Sequence, residues 1–535
     1  MLTGKCKQPC NTVRKAFQVK KRSAHPRASH VNSGTSVPHD ELPWPDGWPM
    51  RDRPVIGNPK LQAQTDEDAP ITAYGGVMLA ADFLRRFGVA KRLDRAVELL
   101  KQHNPYHESD HIIAQAMNLY VGGTCLEDMA KLQGDEGVLR MLKACRLPDP
   151  TTGGDFLRRF DQASLGELRR VNDGLQDDVW KVVGRKQTGR RKRKRDLAVV
   201  DMDGHFKELY GVQKEGADFS RKGQWSYHPL VFSLAGVGET VAVRNRPGNV
   251  QSFEGADEEI DCCAPRLHER FRNVLFRGDS DFDRSVVREA CERNKAYFAF
   301  VSRQWSDRPQ MAMKVPDFAW KPYRSKSQRE RDAHRARKEV RRRKRKRNNK
   351  RRRARQRGYT DLSLVTQWVA EVPYTSPGTD KTYRLVIRKQ LLEEECGKPG
   401  QRELWQRYRY RWVITNLPRS YNAQEVIDET YQRCDQENFI EQMGSGLAMW
   451  RMPVREFDGN CAWLEIARLA WNLGKWLAQL ALPDEVVRWE WKRFRLAFVY
   501  IAAKVVHRAR QVLVRLAGSH RFSAPILEAH VKLQV

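Results

Sequence analysis

The sequence has no apolar run long enough to cross a membrane. Its longest apolar stretch near the end, residues 461–483, is interrupted by Glu465, Arg468 and Lys475, whereas a membrane-spanning helix needs about 20 predominantly apolar residues. The first residues, basic and interspersed with Pro, Ser and Asn, also lack the apolar core of a secretory signal peptide. We therefore expect a cytoplasmic protein without a membrane partner.

Cysteine pairs with the spacing of zinc or redox sites are missing as well. The ten cysteines are scattered, and the close pairs are Cys6 with Cys10 and Cys262 with Cys263. Neither pair has the CxxC spacing and matching second pair that a cysteine-based zinc site needs. Reduced thiols are the simplest account of these residues.

Acidic residues are in short supply relative to basic ones. The 535 residues include 97 Lys and Arg against 66 Asp and Glu, which gives a formal net charge of +31. A net charge of this size attracts polyanions, and nucleic acid is the expected partner because no membrane contact is indicated. The length exceeds that of one ordinary core, so we expect three or four structural units.

The distribution of residue types divides the chain into six segments. Apolar residues at three- and four-residue spacings indicate helices on both sides of a central region, where β-branched runs indicate strands. The predicted segments are a flexible basic arm (1–68), a helical DNA-binding region (69–186), the first part of an α/β core (187–303), a basic and β-rich insertion (304–420), the second part of the core (421–485) and a C-terminal helical tail (486–535). Helical bundling without DNA contact is an equally good interpretation of 69–186.

The central segments predict a mixed α/β sheet, because strands are followed by a helix and a further strand. The insertion adds strand-like runs that we interpret as a β subdomain. The predicted strands are 197–203, 228–235, 239–246, 272–277, 296–302, 362–372, 383–388 and 408–415, and the predicted helices include 284–294, 462–482 and 489–516.

Carboxylates stand where two of these strands end. Asp201 and Asp203 follow the first apolar run, where two-residue spacing puts them on one face, and Asp279 and Asp281 follow a later strand. Cleavage of a phosphodiester needs an activated nucleophile and a stabilised leaving oxygen, which two divalent ions held by carboxylates supply.

A third carboxylate is available on a predicted helix. Arg433, Glu437 and Glu441 are four residues apart and line one side of it, so one face offers both a metal ligand and a phosphate-binding guanidinium. Spacing alone favours a structural role for all these acids, because strand-end aspartates commonly cap turns and helix glutamates commonly face water.

The order of the acidic motifs resembles that of the RNase H-like DDE transposases of bacterial insertion sequences. The likeness is to the branch whose last acid lies in a Tyr-x2-Arg-x3-Glu-x6-Lys signature, and it spans about residues 197–482. The stretches that carry it are 200–204 (VDMDG), 227–230 (YHPL), 246–249 (RPGN), 277–282 (RGDSDF), 433–437 (RCDQE) and 459–464 (GNCAWL).

This resemblance implies a catalytic and metal-binding triad of Asp203, Asp279 and Glu437. The triad would hold two Mg²⁺ ions, with Mn²⁺ able to substitute, inside an RNase H-like mixed sheet with a β-rich insertion and helical regions at both ends. The runner-up acids are Asp201, Asp281 and Glu441.

Two positions depart from the family signature. The signature tyrosine would fall on Thr430, with Tyr431 one place away, and the signature lysine would fall on Gly444. No carboxylate is missing, so these departures bear on contacts to the transposon end more than on the metal site.

Several basic and aromatic residues are candidates for DNA contact. The resemblance makes Arg433 a contact to the DNA end, and the basic tract at 341–357 is expected to bind the DNA backbone, with a solvated arm as the alternative. Trp368, Trp405 and Trp412 could stack an unpaired base or belong to a core. The tract includes Arg341, Arg342, Arg343, Arg351 and Arg352.

The resemblance implies metal-dependent cleavage of double-stranded DNA at transposon ends and strand transfer into target DNA. Pairing of two ends implies a homodimer on DNA, associated with the nucleoid. Two alternatives stay open: an RNase H-like nuclease without strand transfer, and a catalytically inactive basic DNA-binding protein.

Overall fold

The computed structural model describes most of the chain after the predicted basic arm. The described residues are 69–187, 195–303, 308–325, 329, 362–376, 380–396, 403–508 and 511–534. The arm at 1–68, the tract at 341–357 with its five named arginines, and the side chain of Trp405 lie outside the described part. Helices and strands are named below in chain order.

The helices of the described residues lie before, within and after the strand-rich centre. They are α1 (Val77–Arg86), α2 (Val89–Ala96), α3 (Glu108–Val121), α4 (Met129–Gln133), α5 (Glu136–Leu142), α6 (Pro150–Leu157), α7 (Gln162–Gln187), α8 (Ala256–Arg270), α9 (Ser285–Arg293), α10 (Arg308–Met313), α11 (Ala423–Tyr431), α12 (Cys434–Ser445), α13 (Phe457–Leu480), α14 (Trp491–Phe498) and α15 (Ser523–Gln534).

The strands of the described residues include both short bridges and long ribbons. They are β1 (Ile71–Thr72), β2 (Arg195–Gly204), β3 (Lys207–Glu208), β4 (Asp218–Phe219), β5 (Trp225–Tyr227), β6 (Leu230–Leu234), β7 (Glu239–Arg244), β8 (Phe271–Gly278), β9 (Tyr297–Ser302), β10 (Lys321–Pro322), β11 (Leu362–Thr375), β12 (Thr382–Cys396), β13 (Glu403–Thr415), β14 (Ala503–Arg508) and β15 (Gln511–Leu516).

A mixed sheet of nine strands, counted within the described residues, forms the centre. Its order is β10-β11-β12-β13-β9-β8-β2-β6-β7, in which β2, β8 and β9 are parallel and their other neighbours are antiparallel. Helices α8 and α9 cover one face, and α11 covers part of the other. Burial on both faces explains why β2 is almost continuously apolar before its acids.

The predicted insertion at 304–420 is rich in strands, but these strands do not form a sheet of their own. Strand β13 pairs with β9 from Trp412 opposite Ser302 to Thr415 opposite Ala299, and β12 and β11 follow outward. The interpretation as a β subdomain is therefore wrong in this respect. A local pattern specifies a strand but does not specify its neighbour.

Helices from both ends of the chain share one core. The long helix α13 packs against α7 and α3, and nearly all its side chains are buried, including the charged ones that interrupt its apolar run. Arg468 pairs with Asp173 of α7 at 2.6 Å, and Glu465 accepts a hydrogen bond from Asn172 at 2.8 Å. These pairings allow buried charge inside the core.

The prediction of a helix over 489–516 is wrong for its second half. Residues 491–498 form α14, but β14 and β15 then make an antiparallel hairpin that pairs with β1. Val505, Val512 and Val514 have the β-branched side chains that strands favour, and burial alternates along β15. The C-terminal tail is therefore part strand, part helix.

The sequence predicts no membrane-spanning helix. Among the described residues, none of the helices is long and apolar enough to span a bilayer. The charged residues within α13 account for this in the longest apolar segment.

Candidate active site

Asp203 and Asp279 come together at the carboxyl ends of two adjacent parallel strands. Strands β2 and β8 pair with Asp201 opposite Arg277, and each candidate acid follows two residues later. Because side chains alternate along a strand, the acids at 203 and 279 lie on the same side as this pair. The sheet thus brings together the first two acids of the predicted triad.

The two carboxylates share a desolvated environment. Burial raises the pKa of Asp203 to about 6, an effect that Arg433 opposes and the charge of Asp279 reinforces. Burial also raises the pKa of Asp279, against a hydrogen bond from the backbone N–H of Asp281 at 2.8 Å. Desolvated carboxylates at neighbouring strand ends present the hard oxygen donors that suit a divalent cation.

Arg433 supplies positive charge at this site. It occupies the N-cap position of α12, and its Nη1 donates to Oδ2 of Asp203 at 3.1 Å and to the carbonyl oxygen of Met202 at 3.4 Å. The residue that the resemblance assigns to the DNA end is therefore a counter-ion of Asp203 in this structure. Sequence reasoning placed both residues near the site but missed their contact.

Glu437 comes from α12 and not from the sheet. It is exposed on the first turn of α12, one turn after Arg433. The described residues contain one group of three possible ligands within 4.8 Å of one another, formed by His103, His107 and Glu108. The three acids of the predicted triad therefore do not all lie within 4.8 Å of one another, while the charge of Asp279 acts on Asp203.

The buried runner-up Asp201 has a different environment. It is 1 % exposed, and its oxygens accept from Nε and Nη2 of Arg277 at 2.7 and 2.8 Å. Arg277 also donates through Nη1 to the carbonyl oxygen of Glu429, at the end of α11, at 2.5 Å. Asp201 thus joins β2, β8 and α11, a role that the sequence pattern did not reveal.

The other runner-up acids lie closer to solvent. Asp281 pairs with Arg303 and accepts from Oγ of Ser252 at 3.0 Å. Burial raises its pKa, but these hydrogen bonds outweigh burial and hold the pKa below its usual value. Glu441 is exposed one turn beyond Glu437 on α12.

Comparison with known protein families identifies the family of the chain. A family model described as the transposase DDE domain, group 1, matches residues 53–535. The chain belongs to this transposase family. No curated protein matches the sequence.

One similar solved structure is a piggyBac transposase synaptic complex with hairpin DNA. It has a TM-score of 0.36 and 11 % sequence identity, over 81 % of the transposase described here and 82 % of that chain.

The signature departures of this transposase have local structural reasons. Thr430 is buried and donates to the carbonyl oxygen of Val426 at 2.8 Å, within α11. A Cβ at Gly444 would lie 2.7 Å from Cδ1 of Trp450, whose Nε1 donates to the carbonyl oxygen of Ile440 at 3.1 Å. The indole therefore occupies the space that a lysine stem would need.

The histidines beside the transposase site make structural contacts. Nδ1 of His228 lies 3.1 Å from the carbonyl oxygen of Val250, and the ring of His205 lies 4.6 Å from that of Trp450, centroid to centroid. Burial lowers the pKa of His205 to about 4 and also lowers that of His228. Both imidazoles are therefore neutral near pH 7.

Of the two roles left open for Trp412, base stacking and a place in a core, the structure shows the second. Its side chain is 1 % exposed and belongs to the core, beside Tyr410 and Arg308. Trp368 is half-buried, and Nζ of Lys389 lies 5.8 Å from its ring centroid. Burial of Trp412 leaves no surface on which a base could stack.

We expect Asp201→Asn to destabilise the transposase strongly. The change leaves the buried guanidinium of Arg277 without its carboxylate, which costs about 3–5 kcal/mol in such pairs. The free energy of unfolding in urea, followed by tryptophan fluorescence, measures this. Asp281→Asn is the control, because its half-exposed ion pair with Arg303 contributes about 0–1 kcal/mol. Equal effects of the two changes would contradict the role given to Asp201.

We also expect opposite effects from alanine at two helical glycines. Gly444→Ala pushes a methyl group against Trp450, which we expect to cost about 1–3 kcal/mol. Gly166→Ala, on α7 with no neighbour within 4 Å of the added Cβ, should stabilise by up to about 1 kcal/mol through helix propensity. Thermal melting of the two variants distinguishes these outcomes, and a stabilised Gly444→Ala would refute the steric explanation.

Proposed function

We propose that the sheet is an RNase H-like catalytic core of a bacterial insertion-sequence transposase. The support is topological: strands β2, β6 and β7 form an antiparallel meander, and β8 and β9 add in parallel beside β2. The observation that carries the proposal is the placement of Asp203 and Asp279, desolvated and side by side, where adjacent parallel strands end.

Asp203, Asp279 and Glu437 would hold two Mg²⁺ ions, or Mn²⁺ in their place. The two aspartates fit this role through their oxygen donors and the raised pKa values of their carboxyl groups. Glu437 contributes the third carboxylate from the exposed first turn of α12. Divalent ions at such a carboxylate set activate a water or a 3′-hydroxyl and stabilise the leaving oxygen.

The residues of the chain position the DNA for this chemistry. Arg433 lies beside Asp203, where its guanidinium can donate to a phosphate at the transposon end. Attack of water on the phosphorus there breaks its bond to the 3′-oxygen, which leaves a 5′-phosphate and a free 3′-hydroxyl. That hydroxyl attacks a phosphorus of the target duplex in the same site and displaces the 3′-oxygen of the target strand, which leaves as a hydroxyl. A homodimer on DNA would bring two ends together.

The test uses duplex DNA carrying the terminal repeats that flank the gene, with Mg²⁺. We expect Asp203→Asn, Asp279→Asn and Glu437→Gln each to slow cleavage and joining at least about 1,000-fold, because a lost ligand removes several kcal/mol of transition-state stabilisation. DNA binding in EDTA should stay within about 2-fold of the wild type. Rates are followed on denaturing gels.

Glu441→Gln is the matched control, since this exposed glutamate lies one turn from Glu437 on the same helix. If Glu441→Gln abolishes cleavage and Glu437→Gln does not, the third ligand is wrongly assigned. Cleavage without joining by the wild type would favour the nuclease. Absence of cleavage would favour an inactive DNA-binding protein.

A further inference from the structure

Strand β13 carries a regular row of exposed arginines. Its sequence from 407 to 412 is Arg-Tyr-Arg-Tyr-Arg-Trp, and Arg407, Arg409 and Arg411 are all exposed. Two residues along a strand advance about 6.6 Å and return to the same face. The three guanidinium groups therefore stem from one line on one face of the sheet.

This face is the one that carries the acids. Val413, Ala299, Leu275 and Val199 belong to a single apolar cluster under α11, so these four strands present it together. Alternation along β13 puts the three arginines on the face of Val413. Alternation along β2 puts Asp203 on the face of Val199.

The row also lies toward the same end of the sheet. Strand β13 runs antiparallel to β9, which runs parallel to β8 and β2. Its pairing with β9 begins at Trp412, opposite Ser302 at the end of β9. The residues of β13 before Trp412 therefore project past the carboxyl ends at which Asp203 and Asp279 lie.

The helix that covers this face ends where the row begins. The last residue of α11, Tyr431, lies beside Arg388 of β12, whose guanidinium is 5.4 Å from the ring centroid. Burial raises the pKa of Tyr431, and the charges of Arg411 and Arg388 oppose this. Tyr431 is two residues from Arg433. Arg433, Arg388 and Arg411 therefore place positive charges between the acids and the tip of β13.

Part of this charge is left without an internal counter-ion. Arg388 and Arg411 are direct cross-strand partners, and like charges at such positions are unfavourable. In the described part of the chain, neither Arg409 nor Arg411 forms an ion pair with a carboxylate. An external anion that spans several arginines would remove the repulsion.

We propose that Arg388, Arg407, Arg409 and Arg411, the arginine strip, bind the phosphate backbone of duplex DNA beside the cleaved bond. In this proposal, only the position of the cleaved bond rests on the proposed function. From Asp203 the arginines of β13 lie three strand spacings across and Arg388 of β12 lies four across. They lie about two to six residues further along, roughly 16–24 Å away. At about 3.4 Å per base pair, it would contact phosphates roughly five to seven base pairs from the cut, without reading bases.

The test compares two triple variants of the full chain that lose the same charge. Arg407→Gln/Arg409→Gln/Arg411→Gln removes the exposed row. Arg95→Gln/Arg272→Gln/Arg488→Gln removes three exposed arginines elsewhere. Fluorescence anisotropy gives the Kd for a labelled 30-base-pair duplex over a range of KCl concentrations, in EDTA so that no chemistry contributes.

We expect the strip variant to bind at least about 10-fold more weakly near 0.1 M salt, with a slope of log Kd against log salt reduced by about 2.7, or about 0.9 per contact. The control variant should lose less than about one unit of slope. Repeat-containing and unrelated duplexes should be affected alike. Arg409→Gln alone should reduce the slope by about 0.9, which tests the strip if the triple variant does not fold.

Equal slopes for the strip variant and the control variant would overturn the proposal, as would an unchanged slope for Arg409→Gln. Replacement of all three residues by lysine should restore most of the slope, because backbone phosphates respond mainly to charge. These measurements involve no cleavage, so a catalytically inactive chain that still shows the slope difference would refute the proposed function while leaving the strip assignment standing.

Discussion

The buried ion pair between Asp201 and Arg277 is the constraint on which the arrangement of the acids depends. It fixes the register of β2 against β8 two residues before Asp203 and Asp279, so both carboxylates emerge at one level. The same guanidinium reaches the carbonyl oxygen of Glu429. The end of α11, and with it the start of α12, is thereby tied to the two strands. A planar guanidinium can donate in these several directions at once, whereas a lysine ammonium offers no such fork.

Like charges are held together at two places on the same face of the sheet. The charge of Asp279 acts on the desolvated carboxyl group of Asp203 and raises its pKa, and Arg388 and Arg411 face each other across β12 and β13. Both arrangements cost stability in the free protein, and a complementary charge from outside would relieve both. Local conflicts of this kind are expected where a fold serves a site.

Much of the core could be predicted from sequence because its signals are local. Apolar runs that end in acids mark β2 and β8, and the two ends meet because the strands are parallel neighbours. The contact of Arg433 with Asp203 was not predictable, because it depends on how α12 is placed against the sheet. The hairpin of β14 and β15 was mistaken for a helix, since Val505, Val506 and Leu513 satisfy helical spacing as readily as strand alternation. The exclusion of a side chain at Gly444 depends on Trp450, whose position no local pattern specifies.

The pairing of β13 with β9 limits how this protein could have gained or lost residues 304–420, which include β13. Removal of these residues would turn β9, whose side chains are mostly buried, into an edge strand with unpaired N–H and C=O groups, which invites aggregation. These residues therefore cannot be removed or exchanged without exposing the edge of β9. We expect evolutionary variation in DNA binding at the ends of β11, β12 and β13, because substitutions there leave the hydrogen bonds of the sheet intact.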